Sequence, residues 1–244
     1  MSWWSCLFDE NREGERPGGL RLTERGAALC AFSKEDRVLD VAAGDGCTVR
    51  FLREKLGCTA EGVDLAPGGE NVRYGDALSL PYDARTFDGC CMECALSQIR
   101  DADRALKECF RVLRPGGRIF LSGLYARNGA GCADSPFGRL EPKERLLSRM
   151  NAAGFRVTHF EDCTGELVQC LAEAVFRGAA VFPSEMFSNA GIRRKDCGYY
   201  LLTAEKREDR DSRRRRGILP VRSRRNWLRV GSTRRLRSAG LPQP

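Results

Sequence analysis

Hydrophobic and polar positions along this chain fall into two alternating patterns. Short apolar runs end in an acid or a glycine, and between them lie stretches with apolar residues three and four apart. The short runs predict strands at 37–43, 59–63, 71–74, 86–92 and 118–123, and later at 155–160 and 198–204. The longer stretches predict helices at 48–56, 102–113, 141–153 and 166–177, the third of them closed by Gly154. An alanine-rich run at 20–31 also reads as helix, and 33–36 as the turn before the first strand. Pro67-Gly68-Gly69 and Arg114-Pro115-Gly116-Gly117 mark turns, and 126–138 is Gly-rich and irregular. Short strands spaced by helices imply an α/β fold with a mainly parallel sheet and right-handed crossovers.

Composition narrows this picture in three ways. The chain has 244 residues, 42% of them hydrophobic, which suits one domain with appendages. It contains no run of about 18 uncharged apolar residues, so no membrane span is expected. The first residues lack a basic start and turn acidic early, so no secretory signal is expected; the twelve cysteines then read as reduced thiols of a cytoplasmic protein. The net charge of +8 is unevenly placed: residues 205–244 hold 14 basic and 4 acidic residues, the rest 27 basic and 29 acidic. Three segments follow: an N-terminal lid or substrate segment at 1–19 carrying Trp3 and Trp4, a domain at 20–204, and an Arg-rich tail at 205–244 that is expected to be disordered alone. A near-neutral domain argues against a wholly basic nucleic-acid surface, and any contact with RNA would run through the tail.

The residues with chemical potential cluster at strand ends. Val38-Leu39-Asp40-Val41-Ala42-Ala43-Gly44-Asp45-Gly46 is an apolar strand carrying an acid, followed by two glycines that let a ligand approach the backbone. Asp64 ends the second strand, where a carboxylate can accept both hydroxyls of a ribose. Asp76, after the third strand, can accept from an adenine amino group. The spacing leans toward S-adenosylmethionine. A dinucleotide fingerprint wants a third glycine where this chain has Val49, so a nicotinamide-dependent oxidoreductase ranks second.

On these motifs the chain resembles the class I S-adenosylmethionine-dependent methyltransferases. VLDVAAGDG is similar to the family's first motif, GVDLAP to its second and DALSLPYDARTFD to its third. ECFRVLRPGGRIFLSG is similar to its helix–turn–strand near the fifth strand. The resemblance covers 37–123 well and 20–204 loosely, and favours the small-molecule branch that includes ubiquinone, menaquinone and arsenite methyltransferases. It implies a Rossmann-like, seven-stranded, mostly parallel sheet with helices on both faces. It also implies S-adenosylmethionine as cofactor and a small-molecule acceptor methylated by in-line displacement. Cofactor contacts are implied for Asp40, Ala42, Gly44, Gly46, Asp64, Leu65, Asp76, Ala77 and Glu93. Ala42 stands where the family often has glycine. The Pro-Pro-aromatic signature of nucleobase amino-methylating relatives is absent at Glu93-Cys94-Ala95-Leu96, which lowers that chemistry.

Four further readings concern the reaction itself. Glu93 is the leading acid/base or positioning candidate, and Tyr125 can face the acceptor. Cys91-x-x-Cys94, joined by Cys132 or Cys163, raises ligation of a soft metalloid against plain packing in a buried strand, and packing is preferred, so no metal is expected. The acceptor pocket is expected from 1–20, 125–140 and 181–192. The non-enzymatic alternatives are a cofactor-binding sensor and an RNA-associated protein that uses the basic tail.

Overall fold

The computed structural model describes residues 16–128, 132–135, 138–176 and 193–207. The expectations for Trp3 and Trp4, for 181–192 and for the chain beyond 207 lie outside the described residues. The elements run α1 (Gly19–Leu29), β1 (Arg37–Val41), α2 (Cys47–Leu56), β2 (Thr59–Asp64), β3 (Val72–Tyr74) and β4 (Phe87–Glu93). After a 3₁₀ turn (Leu96–Gln98) come α3 (Ala102–Val112), β5 (Leu113–Ala126), β6 (Ala133–Ser135), β7 (Gly138–Leu140), α4 (Lys143–Ala152), β8 (Phe155–Asp162), α5 (Thr164–Phe176) and β9 (Cys197–Lys206).

Seven strands form one sheet in the order β3-β2-β1-β4-β5-β9-β8. Neighbours from β3 to β5 are parallel, whereas β9 runs antiparallel to both β5 and β8. This is the expected mostly parallel, seven-stranded α/β sheet. Side chains of successive strand residues point to opposite faces, so each strand feeds two cores. Val38, Cys91, Phe120 and Tyr199 join residues of α1, α2 and α5 on one face. Leu39, Cys90, Met92, Leu121 and Tyr200 join α3 and α4 on the other. α3 starts where Asp101 accepts a hydrogen bond from the Arg104 N–H at 3.0 Å, a side-chain cap on an otherwise unpaired helix donor.

Several boundaries differ from the sequence expectation, each for a local reason. β5 begins at Leu113 because Leu113 already pairs with Phe87, and 114–117 bulge out before Arg118 rejoins opposite Gly89. α4 begins at Lys143, after Pro142 in extended geometry, and Glu141 is instead held by Arg149 at 2.6 and 2.8 Å. The irregular 126–138 stretch leads into a hairpin of β6 and β7. Glu205 and Lys206, which composition groups with the basic tail, complete β9; the Lys206 ammonium donates to the Phe110 and Leu113 carbonyls at 2.6 and 2.7 Å.

One connection shapes the site. β2 and β3 are parallel yet joined only by 65–71, far shorter than the dozen or more residues a parallel crossover usually takes. That short loop folds back on the β1–α2 turn: the Gly68 N–H donates to the Gly44 carbonyl at 2.9 Å. Gly69 presses so closely that a Cβ there would lie 2.0 Å from the Asp45 carbonyl oxygen.

Candidate functional site

The carboxyl ends of β1, β2 and β4 meet at the β1–α2 turn. Its backbone enters the left-handed region at alternate residues, with φ of 61° at Ala42, 54° at Gly44 and 74° at Gly46. Such alternation turns backbone N–H groups inward and favours oxygen ligands. Asp64 supplies one from within the protein. Its Oδ2 accepts from the Gly44 N–H at 2.9 Å and its Oδ1 from the Ala66 N–H at 2.8 Å. A carboxylate has about four acceptor positions, so each oxygen keeps one for a further donor. Among the described residues, no atom beyond the two chain neighbours lies within 4 Å of a Cβ built on Gly44, so these residues leave space above the turn. Ala42 occupies a left-handed position at which glycine carries no Cβ penalty, and Cys94, with φ 55°, does the same after β4.

Around this turn the structure places the other cofactor candidates as follows. Leu65, next to Asp64, is 62% exposed and presents apolar surface beside that carboxylate. Asp76 uses Oδ1 to accept from the Leu78 N–H at 2.8 Å, and Ala77 packs against the α3/α4 core. Val49, where the dinucleotide fingerprint wants glycine, sits in α2 and is accommodated by Gly62 on β2, whose Cβ would lie 3.0 Å from it. Close helix–strand packing is therefore achieved from the strand side.

Asp40 and Glu93 both project to the α1/α2/α5 face, with Cys91 between them, and form a buried polar network. Glu93, its side chain 6% exposed, accepts from Arg16 Nη2 and Thr48 Oγ1 at 2.9 Å each and from Thr23 Oγ1 at 3.1 Å. Ser122 Oγ lies 3.5 Å from Glu93 Oε1 and 3.1 Å from the Tyr199 hydroxyl, which in turn is 2.8 Å from Cys94 Sγ. Asp40 Oδ1 accepts from the Cys91 thiol at 3.4 Å. Burial pushes the Asp40 carboxyl up to about 8, the nearby Glu93 adds to this, and Arg16 and the Cys91 hydrogen bond oppose it.

That shift has a consequence for stability. The folded protein holds a proton on Asp40 that an unfolded carboxyl, near 3.9, releases. The contribution is complete below about pH 4 and is lost as pH rises toward 8, at no more than about 1.4 kcal/mol per pH unit. Asp40→Asn should flatten this arm of the curve. Urea titrations at pH 5 and pH 8 test it; the same pH dependence in both proteins would remove Asp40 as the cause.

One expectation changes. Tyr125 lies on the opposite face from Glu93, edge-to-face with Phe160 and Tyr200 at 5.7 and 6.2 Å, and burial raises its hydroxyl to about 12. Tyr199 is the tyrosine on the Glu93 face, because alternation along β9 sends it to the α1/α2/α5 side. The cysteines do not converge. Cys91 faces Asp40, Cys94 faces Tyr199 and Cys132 is exposed; among the described residues no three His, Cys, Asp or Glu side chains group to hold a metal ion. Burial drives the Cys94 thiol up to about 12, far from the thiolate a soft ligand site needs.

Arg16, Thr23, Thr48, Ser122 and Tyr199 were not singled out from sequence. Ser122 follows Phe120 by two residues and Glu93 follows Cys91 by two, so period-two alternation was the available signal for those two.

Comparison with known proteins shows what this geometry is similar to. Residues 39–121, which run from β1 into β5, match the family described as "Methyltransferase domain". That stretch is similar to a methyltransferase domain. A demethylmenaquinone methyltransferase of Thermus thermophilus is 33% identical to it over 115 residues, 41% of this chain and 52% of the relative. A ubiquinone/menaquinone biosynthesis C-methyltransferase of Idiomarina loihiensis is 28% identical over 195 residues, 61% of this chain and 78% of the relative. The chain spans about half the length of the first curated relatives it matches. The chain superposes on the cyclase SpnF with a TM-score of 0.67 at 24% identity, covering 82% of this chain and 86% of that one. It also superposes on a phosphoethanolamine N-methyltransferase of Haemonchus contortus, TM-score 0.64 at 20% identity, over 84% of this chain and 56% of the other. These superpositions establish the fold, which hosts more than one activity.

Proposed function

We propose that this chain transfers a methyl group from S-adenosylmethionine to a small-molecule acceptor. The observation that carries the reading is the meeting of Gly44 and Asp64, which sets an open glycine turn and a ribose-accepting carboxylate side by side within the matched domain. The residues fit the cofactor's parts. Asp64 takes the ribose hydroxyls, Leu65 and Ala77 cover the adenine faces, Asp76 accepts from its amino group, and Ala42, Gly44 and Gly46 let the chain pass close. Glu93 and Asp64 place two carboxylates against the one Arg16 guanidinium around a cationic ligand. The cofactor supplies a methyl on positively charged sulfur; as the acceptor atom bonds to that carbon, the carbon–sulfur bond breaks and a neutral thioether leaves.

What the protein then has to do is align the acceptor and exclude water. A cavity of about 420 Å³ opens beside Leu96 and Ser97, past the end of β4 on the side of the sheet that carries Tyr200, and is bounded by Leu124, Tyr200 and the paired Glu141 and Arg149. Its size suits a small molecule rather than a polymer. The relatives named for quinone methylation make a ring carbon the first acceptor to test. An oxygen or nitrogen acceptor would use Glu93 as proton acceptor only where it reaches past the end of β4 to the Arg16 side of the sheet. In this reading 1–19 is a lid, 20–204 the transferase domain and 205–244 a basic tail, and the protein works in the cytoplasm. No helix among the described residues is long and apolar enough to cross a membrane.

Calorimetric titration with S-adenosylmethionine and S-adenosylhomocysteine tests the cofactor, and mass spectrometry of demethylated quinols, catechols, thiols and arsenite tests the acceptor. Binding of both nucleosides with a mass gain of one methyl on an acceptor supports the reading. Binding without transfer to any of them supports a sensor, and no binding refutes the assignment.

A further inference from the structure

The two tyrosines of β9 are treated differently by the fold. Tyr199 has its hydroxyl beside Ser122 Oγ at 3.1 Å and Cys94 Sγ at 2.8 Å. Tyr200, only 1% exposed, has no hydrogen-bond partner for its hydroxyl among the described residues. Its ring is well fixed, stacked on Phe160 at 5.8 Å and edge-on to Tyr125 at 6.2 Å. An enclosed hydroxyl normally finds a partner, and Tyr200 lines the cavity beside Leu96 and Ser97. A partner for this one therefore comes from what fills that cavity.

Register says where the hydroxyl points. β9 pairs Tyr200 with Gly123 of β5, one row beyond Ser122, which pairs with Glu93 at the end of β4. A Cβ on Gly123 would lie 3.4 Å from the Tyr200 oxygen, so the ring lies across β5 and carries its hydroxyl toward β4. There it stands near the carboxyl ends of the parallel strands, where open α/β sheets take their ligands, on the face opposite Glu93.

The rest of the wall describes the ligand. Arg100, Arg139 and Arg149 line the cavity with Asp101, Asp103 and Glu141, three charges of each sign, so it has no net charge to draw in an anion or a cation. Leu96, Ile99, Leu124 and Leu146 supply apolar surface. Burial raises the Tyr200 hydroxyl from its ordinary value, and Cys94 and Glu141 add to this, so at neutral pH it remains an uncharged donor.

We propose that Tyr200 is the recognition residue for the methyl acceptor, its hydroxyl donating to the oxygen of a neutral phenol or carbonyl compound with an apolar body. This rests on the methyltransferase reading and names the acceptor's chemistry. The oxygen end sits over β5 while the remainder reaches past β4 toward the cofactor turn. An analogue of the same shape without the oxygen leaves Tyr200 unpaired.

The test uses two flat probes of nearly the same shape: 1-naphthol, which has the oxygen, and naphthalene, which lacks it. Each is bound to the full chain with S-adenosylhomocysteine present and read by equilibrium dialysis. Tyr200→Phe removes one oxygen. It should weaken 1-naphthol by about 5- to 10-fold and leave naphthalene and S-adenosylhomocysteine within about twofold. Because the hydroxyl makes no internal bond, the variant should unfold at the wild-type urea concentration or above it. A less stable variant would give the hydroxyl a structural partner and overturn the proposal. Equal loss for both probes, no loss for either, or no binding of 1-naphthol to the wild type overturns it as well. Failure of the wild type to bind S-adenosylhomocysteine overturns the methyltransferase reading instead, and the acceptor role of Tyr200 falls with it whatever the probes show.

Discussion

Glu93→Leu should destabilise the protein by about 3 kcal/mol or more, the largest loss expected from any single substitution at the site. The reason is what remains. Arg16 and Glu93 are both nearly buried, and removing the acid strands a guanidinium whose main partner is gone. Thr23 and Thr48 lose the acceptor for their hydroxyls in the same step. The control is the double variant Arg16→Met/Glu93→Leu, which removes both charges and should regain most of the loss. Urea unfolding monitored by far-ultraviolet circular dichroism reads all three proteins. A single variant as stable as wild type would show that the pair carries little of the local energy. A double variant as poor as the single one would shift the cause from charge to packing.

Asp64→Ala should weaken S-adenosylmethionine binding by about 100-fold while the fold persists. Two hydrogen bonds to a charged acceptor are worth roughly 1.5–3 kcal/mol each, and the fold estimate takes the low end for the pair. The carboxylate also ties the Gly44 N–H to the end of β2, so the variant loosens the turn as well as removing the ribose acceptor. The side chain lies at a strand end, outside both apolar cores, which is why unfolding should be little changed. Calorimetry on folded variant protein decides it; unchanged affinity would sink the ribose assignment.

Much of the fold was legible because its signals are local. The apolar runs that became β1, β2 and β4 are bounded by turns and acids, and the Gly44-Asp45-Gly46 turn and Asp64 were placed from spacing alone. What escaped depends on long-range pairing. Whether Tyr199 or Tyr200 faces Glu93 is a matter of one residue in register against β5, which no local pattern fixes. Tyr125 is strand-borne and near the right end of β5, yet its parity sends it into the α3/α4 core. Arg16 was silent because it precedes Pro17-Gly18-Gly19 in a stretch with no periodicity, and its importance arises only when α1 lays it against Thr48 and Glu93.

The insertion of β9 between β5 and β8 sets an order for biogenesis. β5 ends at Ala126, β8 is complete at Asp162, and the strand that hydrogen-bonds to both begins only at Cys197. During vectorial synthesis the parallel half, from β3 to β5, can assemble while β8 has no neighbour to join. The exposed edge of β5 is then a template for mispairing until β9 arrives, a period in which a holdase chaperone has something to protect. Closure of the last third is a single long-range event, so nascent chains stalled before Cys197 should be the protease-sensitive ones.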